Sequence, residues 1–174
     1  MKRASVRPRG AVSSGGFTFI EMLIVVAIIG AMALAIYPAI NNALQTRTFD
    51  NAAKDILTTM QRAKLMAVRT KINHRVRFLQ RGGVWFYLIE EETASGVWNR
   101  VPGFVEKSIS PDFATTVNLP AQAVTYSPLG FVSDYAVNQN DVTIQSERLR
   151  GQDDQRIVSI YAGGTIQYAR ARST

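Results

Sequence analysis

The chain has 174 residues and a mass of 19.2 kDa, room for about one domain, and its 47% hydrophobic content is too high for a disordered chain. It holds no cysteine and one histidine, His74, which excludes disulfides, thiolate metal sites and cysteine nucleophiles and makes an enzyme a poor expectation. The net charge of +7 is unevenly spread (+4 over residues 1–16, −1 over 17–46, +7 over 47–81, −6 over 82–147 and +3 over 148–174), so it is not a simple nucleic-acid-binding charge.

Residues 1–16 carry Lys2, Arg3, Arg7 and Arg9 and no acid. From Met22 to Thr46 there are twenty-five consecutive residues without a formal charge, and the denser part, Phe17–Ile40, exceeds the ~20 apolar residues a helix needs to cross a bilayer core. The preceding positive charges predict a cytoplasmic N-terminus, with the rest of the chain on the far side. Three identities compete. A secretory signal would be cut after Ala31-Met32-Ala33 or Ala33-Leu34-Ala35, but its apolar region runs to only about 7–15 residues and would not contain Glu21. A plain signal anchor explains the length and the flanking charge, but neither the glutamate nor the glycine pair Gly15-Gly16 before the run.

The third identity is carried by Gly16-Phe17-Thr18-Phe19-Ile20-Glu21, which resembles the type III signal of type IV pilins and type II secretion pseudopilins. That family has a short basic leader, a glycine before the cut, an aromatic first mature residue and a glutamate fifth after it. Pro38, the twenty-second residue counted from Phe17, matches the helix-kinking proline of many members. One departure is Ser13-Ser14-Gly15, where family leaders often place a basic residue beside the glycine. The resemblance implies a basic leader peptide over 1–16, removed by a prepilin peptidase between Gly16 and Phe17, with N-methylation of Phe17. It further implies a transmembrane and assembly helix over 17–45 and a pilin-like globular domain over 46–174, outside the membrane.

Glu21 has an independent physical reading. An ionisable group inside an apolar helix costs on the order of 2.5–3.5 kcal/mol at mid-membrane, and no basic residue lies between Arg9 and Arg47. After cleavage the new ammonium of Phe17 lies a little over one turn away, at a helix end whose dipole favours a carboxylate. In the family the partner is taken to be the amine of a neighbouring subunit. The alternative is a Glu21 that snorkels to the membrane interface.

Beyond Pro38 the helical pattern continues. Phe49, Ala53, Ile56, Met60, Ala63 and Ala67 recur at spacings of four and three, an apolar stripe that predicts a seam against a sheet. Asn51, Lys54, Asp55, Thr58, Gln61, Arg62 and Arg69 fall elsewhere and suit solvent. A helix over 17–68 would be about 78 Å long at 1.5 Å per residue, with a kink at Pro38, whose ring removes a hydrogen bond and clashes with the preceding turn.

After Thr70 the period becomes two. His74–Phe78 and Val84–Ile89 read as strands around the turn Arg81-Gly82-Gly83, Glu90-Glu91-Glu92 as the start of a polar loop, and Val97–Val101 as a short return strand. Residues 102–120 read as loop. Ala123–Tyr126 and Phe131–Ser133 read as a hairpin about Ser127-Pro128-Leu129-Gly130, followed by strands at Val142–Gln145, Ile157–Tyr161 and Thr165–Ala169 with the turn Ala162-Gly163-Gly164. The fold class is therefore α+β: a long N-terminal helix, half membrane and half amphipathic, packed on an antiparallel sheet or small β-sandwich. Gln61-Arg62-Ala63-Lys64-Leu65-Met66-Ala67, Tyr126-Ser127-Pro128-Leu129-Gly130 and Ile157–Ile166 resemble units of the GspH/FimT family, the H-type minor pseudopilins and their pilus counterparts.

No metal site or cofactor is expected. His74 reads as a surface or strand-end residue, Glu90-Glu91-Glu92 as a solvated run without the spaced oxygens calcium needs, and no phosphate loop or nucleophile elbow stands in its required context. The resemblance implies a structural subunit of a type II secretion pseudopilus or type IV pilus in the bacterial inner membrane, single-pass with a periplasmic domain and later incorporated into a filament. Its partners would be other pilins or pseudopilins through the N-terminal helix, the prepilin peptidase and the inner-membrane assembly platform. The alternative is a DNA-binding minor pilin of natural transformation. Arg170 and Arg172 would be the carriers and Arg150 the support, since clustered arginines can contact phosphates.

Overall fold

A computed structural model of the chain describes residues 16–149 and 153–173. It divides after Asn42 into two compact units. One helix, α1 (Phe19–Thr70, 52 residues), runs through both and is long and apolar enough to cross a membrane. The expected start at Phe17 is displaced by two residues because Thr18 caps the helix. At the other end Lys71 adopts a left-handed conformation (φ 63°) and its N–H bonds the Ala67 carbonyl at 3.0 Å, so Thr70 is the last helical residue. Helical structure continues through Pro38.

In the first unit every large apolar side chain described from Phe17 to Ile40 is at least 45% exposed. Such a surface is foreign to a water-soluble domain and needs a lipid or protein environment.

In the second unit, from Ala43 onward, the stripe is the core. Phe49, Ala53, Ile56, Met60, Ala63 and Ala67 are each fully buried, and the seven positions assigned to solvent are all exposed. Two antiparallel sheets complete the unit. The first has the order β3-β2-β1-β6, built from β1 (His74–Arg81), β2 (Val84–Ala94), β3 (Val97–Arg100) and β6 (Ala123–Tyr126), with β4 (Lys107–Ser108) also on β2. The second has the order β5-β7-β8-β9, built from β5 (Ala114–Asn118), β7 (Asp141–Gln145), β8 (Gln155–Ile160) and β9 (Ile166–Ala171). Alternation selects the inward faces: Val76 and Phe78 on β1, Val142 and Ile144 on β7, Val158 and Ile160 on β8. Val76 stands between Ile89 and Val124 in register, and the Phe78 ring lies 5.8 Å from that of Tyr87.

Three local expectations are corrected. The segment 102–120 holds β4 and β5, which are short and polar enough (Lys-Ser, Ala-Thr-Thr-Val-Asn) to lack a period-two apolar signal. Glu90-Glu91-Glu92 lies inside β2, where Glu90 is buried and its carboxylate accepts from Arg75 Nε at 2.6 Å. The arm Phe131–Ser133 forms an isolated bridge, Tyr126–Val132, and β6 pairs with β1 instead. His74, expected at a surface or a strand end, is the first residue of β1 and fully buried. Its Nδ1 donates to the Ile72 carbonyl at 3.1 Å, and Nε2 stands 3.8 Å from Glu91 Oε2.

Candidate functional site

Gly16 and Phe17 precede α1 and are exposed, Phe17 at 74%. A Cβ added to Gly16 would meet nothing within 4 Å among the described residues, so packing against them does not require glycine there. A requirement for it would have to come from something that reads the peptide. Glu21 sits in the first turn of α1 with Thr18 at the N-cap. The Glu21 N–H donates to Thr18 Oγ1 at 3.3 Å, and the Thr18 N–H reaches Glu21 Oε2 at 3.5 Å. This reciprocal pair is a capping box, Thr-x-x-Glu, a role for Glu21 that the sequence reading did not assign although the spacing was visible.

The C-terminal arginines are placed differently from one another. Arg150 lies outside the described residues. Arg172 is exposed just beyond β9. Arg170, on β9, is bound to the helix: its Nη2 contacts Asp50 Oδ2 at 2.5 Å, and its Nε reaches the Tyr168 hydroxyl at 3.4 Å. Arg156, on β8, is 1% exposed; its Nε donates to Asp50 Oδ1 at 2.6 Å and its guanidinium lies 4.5 Å from the centre of the Phe49 ring. The Tyr168 hydroxyl adds a third bond to Asp50 Oδ1 at 3.1 Å. One helical carboxylate thus holds two arginines and a tyrosine from β8 and β9. Burial acts to raise the Asp50 pKa, but the bond and charge of Arg156, with help from Tyr168 and Arg170, prevail and hold it below the usual carboxylate value. The sequence reading missed this centre because Asp50 lies beside the apolar stripe and its partners lie more than a hundred residues away.

A second convergence joins the stretches that resembled the GspH/FimT family. Lys64 Nζ donates to the Gly164 carbonyl at 2.9 Å. A Cβ on Gly164 (φ +73°) would stand 2.0 Å from the Gly130 carbonyl oxygen and 3.0 Å from Lys64 Nζ. The helix, the turn 127–130 and the turn 162–164 therefore meet at a spot that only glycine permits at position 164.

Among known families, the model described as the prokaryotic N-terminal methylation motif matches residues 13–37. The minor pseudopilin EpsH of the Vibrio cholerae type 2 secretion system aligns at TM-score 0.52 and 13% identity, covering 70% of this chain and 95% of that one. The type IV minor pilin FimU of Pseudomonas aeruginosa aligns at TM-score 0.53 and 19% identity, covering 72% of this chain and 90% of that one. No curated protein matches the chain in sequence. The N-terminus therefore carries a prepilin methylation motif, and the aligned part of the chain has the pilin-like fold.

Proposed function

We propose that the chain is a minor pilin or pseudopilin: a non-enzymatic subunit, anchored by the N-terminal helix and assembled into a type IV pilus or type II secretion pseudopilus. The observation that carries this reading is the methylation motif standing at the head of an exposed apolar helix that continues into a pilin-fold domain. In this reading a prepilin peptidase removes residues 1–16 and the amine of Phe17 is methylated. The domain beyond residue 45 lies on the periplasmic side of the inner membrane until the assembly platform draws the subunit into a filament. There the apolar helices of neighbouring pilins cover the surface that a single chain leaves bare, and Glu21 receives the amine of a neighbour.

The test is processing. Co-expression with a prepilin peptidase should give a mature chain beginning at Phe17 by intact mass and N-terminal sequencing. Since Gly16 has open space around it, Gly16→Ala should be cut in part, whereas Gly16→Leu should be left whole without loss of folding. A new N-terminus at Leu34 or Ile36 would instead mark the chain as an ordinary secretory precursor.

A further inference from the structure

At the end of the first sheet where β1 turns into β2, the core face opens into a pocket of about 300 Å³. That is the small end of the ~300–1,000 Å³ range of ligand pockets. One wall is a row of side chains across three strands. Gln80 on β1 stands opposite Trp85 on β2, so the two share a face with Cβ atoms about 4.5–5.5 Å apart. The Ile109 N–H bonds the Trp85 carbonyl at 2.8 Å, which carries the pairing of β2 with β4 one residue further and adds Ile109 to the row. The neighbouring row on this face, Phe78 and Tyr87, is sealed in the core. This one is not: Ile109 is buried, Trp85 half-buried and Gln80 exposed. Phe113, whose ring lies 5.1 Å from the buried Phe49 ring, and the hydroxyls of Ser110 and Thr115 complete the site.

The lining decides what can enter. None of the residues lining the pocket is charged, so an ion would be desolvated there without a counter-charge. Among the described residues the Gln80 amide and the Trp85 indole N–H have no hydrogen-bond partner. The Ser110 hydroxyl donates to Asp112 Oδ2 at 3.4 Å, and the Thr115 hydroxyl to the Phe113 carbonyl at 3.3 Å, so each keeps acceptor capacity but has used its donor. A purely apolar ligand would leave all of these groups unpaired. The pocket therefore suits a neutral molecule that both donates and accepts around its rim and lays an apolar face on an aromatic ring. A pyranose sugar has those properties: hydroxyls at its edge, and C–H groups whose positive ends meet the electron-rich face of an indole. A proline-rich peptide would also lie on the indole, but proline has no N–H and offers nothing to the hydroxyl oxygens.

We propose that this pocket binds a neutral pyranose unit of a glycan, stacked on Trp85 and hydrogen-bonded by Gln80. The proposal goes beyond the filament reading and needs only the fold of the second unit.

The full chain should be kept in a sugar-free zwitterionic detergent and titrated with tri-N-acetylchitotriose and with cellotriose, followed by saturation-transfer NMR and calorimetry. At least one should bind with a Kd of about 1 mM or tighter. Its affinity should be equal at about 50 and about 500 mM salt, because no charge lines the site. Gln80 is exposed, so Gln80→Ala should melt with the parent, and it should weaken binding about tenfold. Trp85→Leu, which keeps an apolar contact and removes the stacking face, should weaken it at least as much. Trp98, which lies under the Arg75 guanidinium at 4.2 Å, does not line the pocket, and Trp98→Phe should bind like the parent. Tighter binding of tri-N-acetylchitotriose supports a site for amino-sugar glycans, and tighter binding of cellotriose supports one for plain glucans. Binding of neither sugar, or an affinity that Gln80→Ala leaves unchanged, overturns the proposal. So does an affinity that falls steeply with salt, or displacement of the sugar by a polyproline peptide at lower concentration.

Discussion

Asp50 brings helix and sheet together through charge. Its carboxylate serves Arg156, Arg170 and Tyr168, and Arg156 is sealed from water, so removing the acid strands a buried cation. Breaking one side of a buried pair costs about 3–5 kcal/mol, and Asp50→Asn, which keeps the shape but not the charge, should show most of that in denaturant melts at pH 7. A carboxyl whose folded pKa is depressed stabilises the fold fully above the unfolded value of about 3.9 and loses that contribution as pH falls through the folded value. Asp154, bound by Ser173, and Glu92, bound by the Gly96 N–H and Asn73, are shifted the same way. The unaltered chain should therefore lose more stability between pH 7 and pH 3 than Asp50→Asn does; equal losses would remove Asp50 from the balance. Glu21 poses a sharper question, because it has two roles that one substitution separates. Glu21→Gln keeps the capping acceptor for the Thr18 N–H and removes the charge. Normal helix content with poor filament incorporation would assign the charge to the neighbour's amine, and normal incorporation would leave capping as the role of Glu21. The Thr-x-x-Glu spacing was legible in the sequence. Asp50 was not, because a lone acid beside an apolar stripe looks solvated until strands from the far end of the chain are laid over it.

At the scale of elements, what could be read was what repeats. The stripe from Phe49 to Ala67 follows the helical period and is buried at every position named, and the alternating Val76, Phe78, Val142, Ile144, Val158 and Ile160 turn inward as period two requires. What could not be read was pairing between distant elements. β6 joins β1 rather than making a full hairpin with the segment after it, and the two turns that meet over Lys64 are separated by more than thirty residues. That meeting gives an element-scale prediction. Gly164→Ala places a Cβ 2.0 Å from a backbone oxygen at a positive φ, so the turns must part or Lys64 must leave the Gly164 carbonyl. Left-handed strain of this kind costs about 1–3 kcal/mol. The melting temperature should fall by about 2–4 °C per kcal/mol in a domain of this size. Gly163→Ala, with nothing within 4 Å of its Cβ, should melt with the parent and so controls for turn composition.

At the scale of the whole molecule the decisive matter is whether the second half of α1 is an arm or a part of the core. Its inward face carries Phe49, Ile56 and Met60, all fully buried, and each large side chain contributes roughly 1.5–3 kcal/mol when removed from water. The helix also supplies Asp50 to Arg156 and Arg170, and Lys64 to the Gly164 carbonyl. A chain beginning at residue 46 keeps every one of these contacts and discards the leader and nearly all of the uncharged span. It should be soluble and melt in one cooperative step. A chain beginning at residue 71 keeps every strand described above but bares the sheet surface the stripe covered and strands the charge of Arg156. The losses are as large as the 5–15 kcal/mol by which whole domains are stable, so it should aggregate or show no cooperative transition. Circular dichroism and thermal melting of the two fragments decide between these outcomes. Were the fragment 71–174 to melt cooperatively at the temperature of 46–174, the helix would be an appendage of a free-standing β domain.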